Sequence, residues 1–237
     1  MPSRSLTRPH SLADQAADEI RRRIVSGEFE LGQALSETAI AAVLGVSKTP
    51  VREALLRLKT EGLVDIQPQR GTFVFRISAV EVRKLSEFRQ VLEVAALRLA
   101  MRRDAAALGR VLERIVRDMR AAIASGDAAR YREQDGHFHQ CIIDRCANHH
   151  LIRAHAMIAF RVQALRNRLS SNPALNAASL EQHRMLAQLI GSGSEARAVT
   201  LLRKHIAKTR DDYANTVRTR ARAGSLRGGL VDVTQDA

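Results

Sequence analysis

Residues 35–63 read LSETAIAAVLGVSKTPVREALLRLKTEGL, and this stretch decides the fold. Ala39, Ile40, Val43 and Leu44 give a first short helix an apolar stripe. Val51, Ala54, Leu55 and Leu58 give a second helix its own, again at steps of three and four. Gly45-Val46 lies between them as a tight turn. Ser47 stands where an N-cap accepts orphan amide hydrogens, and Pro50 falls in the first turn, where its missing N–H costs little. Gly62 marks the C-terminal end. Two helices joined by a short glycine-containing turn predict a helix-turn-helix. Lys48, Thr49 and Arg52 stand on the exposed N-terminal side of its second helix.

Outward from this core, Leu12, Ala16, Ile20 and Ile24 recur at four, and Gly27 follows, so a helix is expected over residues 12–26. Residues 1–10 read as a flexible arm, and Glu28 to Ala34 as a connection. After Gly62, residues 63–66 and 72–75 have strand character on either side of Pro68-Gln69-Arg70-Gly71, a turn. Helix, helix-turn-helix and hairpin make a winged helix-turn-helix over residues 11–77.

The remainder has no strand pattern. Six amphipathic helical stretches are expected between residues 78 and 220: from about Val80 to Arg103, Ala105 to Ser125, Asp127 to Cys146, His149 to Ser170, Ser179 to Gly191, and from Ser192 to about Thr219. Ser179 with Gln182 fits a capping box at the start of the fifth, and Glu195 completes another at the start of the sixth. Asn172-Pro173 is a loop signal, and residues 221–237 lack periodicity, as a disordered tail does. The fold class is therefore mainly α, a winged helix followed by an antiparallel helical bundle.

A length of 237 residues fits one or two domains, and 45% hydrophobic residues can bury a substantial core. The net charge of +13 suggests an anionic partner, but its distribution is uneven. Residues 1–75 balance at +1, with ten basic and nine acidic side chains, whereas residues 76–237 carry +12. Placed cations matter more to the first module than total charge. Two cysteines five apart, Cys141 and Cys146, make neither a zinc knuckle nor a disulfide framework. With no long apolar run and no signal core, the expected location is cytoplasmic, away from membranes.

Residues 12–75 resemble the GntR family of bacterial transcription regulators: GVSKTPVREALLRLKTEGLV is close to that family's signature, and RGTFV matches its wing. The resemblance implies a homodimer that reads a palindromic double-stranded DNA operator, with Lys48, Thr49 and Arg52 at recognition-helix contacts and Arg70 and Gly71 at the wing tip. Lysine at 48 lacks the bidentate fork that reads guanine, so a phosphate contact is its expected role. The helical remainder, with LSEFRQVLEVAALRLA, DGHFH and two later histidines, resembles the FadR-like subfamily with its FCD ligand-binding domain.

Asp135 and His139 share a helix face at i and i+4. His183 and His205 each stand among apolar neighbours, with no acidic residue at i±4. A buried histidine needs a partner, and a divalent metal would serve all four residues at once. The resemblance implies the same set, because FCD domains bind metal through Asp-x-x-x-His and two distant histidines. Such ligands suit zinc first, with nickel, manganese, cobalt or iron as further options. His137, His149, His150 and His155 are read as non-ligands. Arg89 lies on an apolar stripe and needs an anion, either Glu93 at i+4 or the carboxylate of an effector. Arg161, close to Ile158 and Leu165, is a second effector candidate, against a solvated-face reading. The expected function is a ligand-responsive regulator, a repressor controlled by a small carboxylate metabolite. The alternatives are a metal-dependent enzyme acting on small organic acids, or a regulator whose metal is purely structural. No nucleophile motif and no clear general base favour the enzyme.

Overall fold

The computed structural model describes residues 10–169 and 173–228. The chain divides into two units, residues 1–76 with 157–164, and residues 77–156 with 165–237.

In the first unit, α1 spans Leu12–Ser26, as its period of four predicts. Ser11 caps it: the Ser11 hydroxyl accepts from Asp14 N–H, and the Asp14 carboxylate accepts from Ser11 N–H, a capping box. Gly27 ends it at φ 97°, in the left-handed region that glycine enters without strain. β1 (Ala34–Leu35), α2 (Glu37–Leu44), α3 (Lys48–Thr60), β2 (Val64–Gln67) and β3 (Gly71–Val74) follow. The strands form one antiparallel sheet in the order β1-β3-β2, with Val64 opposite Val74 and Gln67 opposite Gly71. β1 falls inside the stretch expected as a connection. Two residues are too few to show alternation, and its only signal is its pairing with Phe73 and Thr72.

The core of this unit is Ile20, Ile24, Val51, Leu55, Leu58, Leu63 and Val74, all shut from solvent. Two local expectations change. Val43, placed on the apolar stripe of α2, is 63% exposed, because Ile40 and Ala41 are the residues that α2 turns inward. Ser47 does sit at the N-cap of α3, but its hydroxyl makes no capping hydrogen bond.

The second unit is helical throughout its described residues: α4 (Ala79–Ala124), α5 (Ala128–Arg145), α6 (His149–Leu169), α7 (Pro173–Gly191) and α8 (Glu195–Gly228). α6 belongs to this unit except for residues 157–164. The two stretches expected over residues 80–125 form one long α4 with a break at Asp104, whose φ of −163° and ψ of 87° leave the helix. There the Asp104 carboxylate accepts from Ala107 N–H, restarting the helix as an N-cap does. α7 begins at Pro173, six residues before the expected start, and proline is well suited to a first helical turn. α8 runs on through the first residues of the expected tail. Residues 229–237 and nearly all of the expected N-terminal arm lie outside the described residues.

α4 packs against α5, α7 and α8. Leu97, Leu108, Leu112, Phe138, Ile142, Ile143, Leu186, Ile190 and Leu202 fill the space between them. α4 and α7 touch backbone to backbone where both lack side chains: a Cβ on Gly109 would stand 2.4 Å from Gly191 Cα.

Candidate metal centre and DNA-reading helix

Three helices each bring one histidine to a common point. His139 comes from α5, His183 from α7 and His205 from α8, and all three are buried. One nitrogen from each ring lies within 4.8 Å of the others. His139 Nε2 and His183 Nε2 are 3.3 Å apart. Two imidazole nitrogens on a tetrahedral ion at about 2.0–2.1 Å would be separated by about 3.3 Å, so this spacing fits a divalent metal such as zinc. Asp135, one turn before His139, sets Oδ1 at 3.6 Å from His183 Nε2. The four residues expected as ligands are thus neighbours in space.

Further groups orient these ligands. Glu93 Oε2 is 2.8 Å from His139 Nδ1. An ionised carboxylate only accepts, so Nδ1 carries the hydrogen and Nε2 keeps its lone pair for the cluster. Gln182 Oε1 accepts from His205 Nδ1 at 2.9 Å, which fixes that ring in the same sense. Gln182 therefore serves His205, and the capping role expected for it fails because α7 starts six residues before Ser179. His183 Nδ1 is buried without a hydrogen-bond partner among the described residues.

Burial drives the ring pKa values down: His183 falls from 6.5 to about 3, His205 falls well below its ordinary value, and His139 falls as well. The rings are neutral at pH 7, the state in which imidazole binds metal. Burial pushes the Asp135 carboxyl up, but the adjacent Arg166 guanidinium together with His183, His139 and His205 outweighs this, and the group titrates below the usual carboxylate range. Arg166 pairs with Asp135 through Nε and Oδ2, leaving Oδ1 toward His183. The Glu93 carboxyl is likewise held well below its usual value, since Arg89 and His139 outweigh its burial.

Arg89 pairs with Glu93, one of the two anions expected for it. Its Nε donates to Glu93 Oε1 at 2.5 Å, while its Nη2 is buried with no hydrogen-bond partner among the described residues. A cavity of about 40 Å³ opens beside the cluster, lined by Arg89, Asp135, His139, His205 and Arg166. Polar groups complete its wall, among them Tyr131, Asn176, Ser179, Lys208 and Tyr213. That volume holds a few water molecules. Tyr131 donates to Asn176 O at 3.0 Å, and Lys208 pairs with Asp212 at 3.0 Å.

Arg161 is not among the residues lining this cavity. It belongs to the first unit, where its guanidinium lies over the Phe75 ring, 5.6 Å from the centroid. Of the expected non-ligands, His137, His149 and His150 are exposed. His155 is buried outside the cluster, with Nδ1 unpartnered among the described residues. Both cysteines are free thiols. Sequence reasoning missed Arg166, Gln182, and Glu93 as the orienting group of His139. Each is defined by a partner on another helix, for which local periodicity carries no signal.

In the first unit, Lys48, Thr49 and Arg52 stand together on the exposed start of α3. Arg52 is not idle: it makes a bidentate ion pair with Glu37 of α2, Nη2 to Oε2 at 2.9 Å and Nε to Oε1 at 3.3 Å. Arg70 and Gly71 are exposed at the β2–β3 turn. Gly71 has φ 104°, and the turn closes with Arg70 N–H donating to Gln67 O at 3.1 Å. No helix among the described residues is long and apolar enough to cross a membrane.

Comparison with known proteins agrees with this geometry. The description "Bacterial regulatory proteins, gntR family" matches residues 12–74, and the FCD domain matches residues 84–208. An HTH-type transcriptional regulator in an unstable DNA locus of Streptomyces ambofaciens is 31% identical over 202 residues, 82% of this chain and 81% of that one. The gluconate operon transcriptional repressor of Bacillus subtilis (strain 168) is 30% identical over 203 residues, 83% of each chain. Among solved structures, E. coli McbR/YncC superposes with a TM-score of 0.75 at 21% identity, covering 87% of this chain and 98% of its own, a likeness of fold alone. Its relatives regulate transcription, and this chain is a regulator, not an enzyme. A gntR-type winged helix followed by an FCD domain places the chain in the GntR family of bacterial transcription regulators, with FadR-like architecture.

Proposed function

We propose that the chain is a ligand-responsive repressor that binds a palindromic operator as a homodimer and releases it when a small organic acid enters a metal-containing cavity. The observation that carries this reading is the unpartnered Nη2 of Arg89 in the same cavity as the histidine cluster. A buried guanidinium N–H without an acceptor calls for an anion. His139, His183, His205 and Asp135 would hold a divalent ion, zinc before nickel, manganese, cobalt or iron. That ion, when bound, offers a Lewis-acidic position for a carboxylate oxygen. Arg89 donates to the same carboxylate, and Glu93 holds Arg89 in place for it.

On the DNA side, Arg52 reads a base edge, Lys48 and Thr49 contact backbone, and Arg70 and Gly71 bring the wing tip to the groove. Two copies set the half-site spacing. An effector shifts this equilibrium only by its preference for the form that fits the operator badly.

The test begins with elemental analysis of the purified chain, where about one metal per chain is expected, and its loss in the His139→Ala/His183→Ala double variant. Metal-loaded protein is then screened with small carboxylates for thermal stabilisation and for release of operator DNA. Metal retained in full by the double variant would sink the proposed site. Metal bound, with no carboxylate changing operator affinity, would make the ion purely structural.

A further inference from the structure

The uneven charge of the chain has a structural counterpart. Arg110, Arg114 and Arg117 follow one another at steps of four and three along the second half of α4, on one face of the helix. They line an open groove of about 500 Å³, together with Arg145 from the end of α5. Arg117 continues into an adjoining groove, where Arg120 and Arg184 of α7 take over. Glu113 is the carboxylate that lines both grooves. Arg184 is neutralised by Glu181 at 2.5 Å. The other five arginines form no ion pair among the described residues, and all five are exposed. Asp118 and Asp144, like Glu113, stand next to these arginines in sequence. Asp118 forms no ion pair among the described residues, and Asp144 accepts from Gln140 at 2.7 Å.

Five exposed arginines outnumber the groove-lining carboxylate of Glu113 and the Glu181 carboxylate that Arg120 also feels, and an anion relieves the repulsion that is left. Guanidinium is the side chain best matched to phosphate, which it grips through two parallel N–H donors. From Arg110 to Arg120 the helix rises about 15 Å, the length of about four nucleotide steps along one strand of a duplex. The groove is long and open, unlike the enclosed cavity at the histidine cluster, and shares no residue with it. The winged-helix part of the chain, residues 1–75, carries a balance of only +1.

From these observations we infer that the arginine groove of the FCD domain is a second DNA-contacting surface, which takes duplex phosphates without reading sequence. It supplies the long-range attraction that the nearly neutral winged helix lacks. The inference does not depend on the metal or the effector, and random-sequence DNA suffices to test it.

The test uses the full chain and a random-sequence 40-bp duplex, with affinity measured by fluorescence anisotropy across a salt series. Each phosphate contact contributes about 0.9 to the slope of log K against log salt. Arg110→Ala/Arg114→Ala/Arg117→Ala should flatten that slope by about two to three and weaken binding roughly tenfold or more at low salt. The single change Arg145→Ala, on another helix, should flatten it by about one. A control that removes equal charge from the exposed face of α8, Arg197→Ala/Arg203→Ala/Lys204→Ala, should change the slope by less than one. An unchanged slope in the triple variant would overturn the inference, and so would an equal flattening in the control. Inorganic tripolyphosphate distinguishes a free-phosphate site. If it stabilises the wild type but not the triple variant while the DNA slopes coincide, the groove binds small phosphates and the assignment to DNA is wrong.

Discussion

Glu93 Oε2 lies 2.8 Å from His139 Nδ1 while its other oxygen holds Arg89, so one buried carboxylate on α4 orients both a metal ligand and an effector anchor. Glu93→Gln keeps the size of the side chain and removes its charge. Metal affinity should fall about 10- to 100-fold, as for other groups that orient metal-bound histidines. Competition against a chelator measures it, and an affinity equal to wild type would show that His139 needs no such support.

Arg166 provides a second test. Removing it as Arg166→Gln leaves Asp135 a buried carboxylate without its cation. That should destabilise metal-free protein by about 3–5 kcal/mol. A bound divalent ion replaces the missing positive charge, so most of the loss should vanish in metal-loaded protein. Thermal unfolding with and without chelator makes the comparison. Equal losses in both states would mean that Asp135 does not face the ion.

Acid should weaken the metal-free protein through its histidines. The unfolded chain binds a proton at His183 near pH 6.5, while burial holds the folded pKa near 3. The unfolded state therefore gains protons first as pH falls. Stability is full above about 6.5 and declines down to about 3, by about 1.4 kcal/mol per pH unit for this one group. His139 and His205 shift in the same direction and add to the decline. Urea unfolding in chelator at pH 7 and pH 5 checks this. Equal stability at the two values would exclude buried neutral rings.

The Arg52–Glu37 pair should compete with DNA. Glu37→Gln frees the guanidinium and removes a negative charge next to the phosphates. Operator affinity should rise by up to about 1 kcal/mol, about fivefold, because exposed ion pairs are worth no more than that. The gain should shrink as salt rises. A fall in affinity would instead assign Glu37 the task of aiming Arg52 at its base.

Much of this architecture is legible in the sequence because it is local. The period of Leu12, Ala16, Ile20 and Ile24 places α1 to the residue, and the Gly45 turn announces the helix-turn-helix. The four candidate ligands stand out because a buried histidine in an apolar stretch asks for a partner. What the pattern hides depends on residues far away in the chain. β1 exists through its pairing with β3, Gln182 is claimed by His205 from α8, and Arg166 is matched with Asp135 across two helices. Val43 misleads for the same reason: it shares an apolar stripe with the buried Ile40, yet stays 63% exposed.

The contact between Gly109 and Gly191 bears on how freely the regulator can vary. His183 sits eight residues before Gly191, about two turns along the same helix, so the depth at which α7 rests on α4 bears on how far His183 reaches toward His139. That depth is fixed by backbone against backbone, with no rotamer to adjust. Substitutions elsewhere on these helices can be absorbed by neighbouring side chains, but a single methyl at Gly109 lifts α7 and widens the ligand triangle. The tolerance of the metal centre to change is therefore narrowest at a position that carries no chemistry of its own.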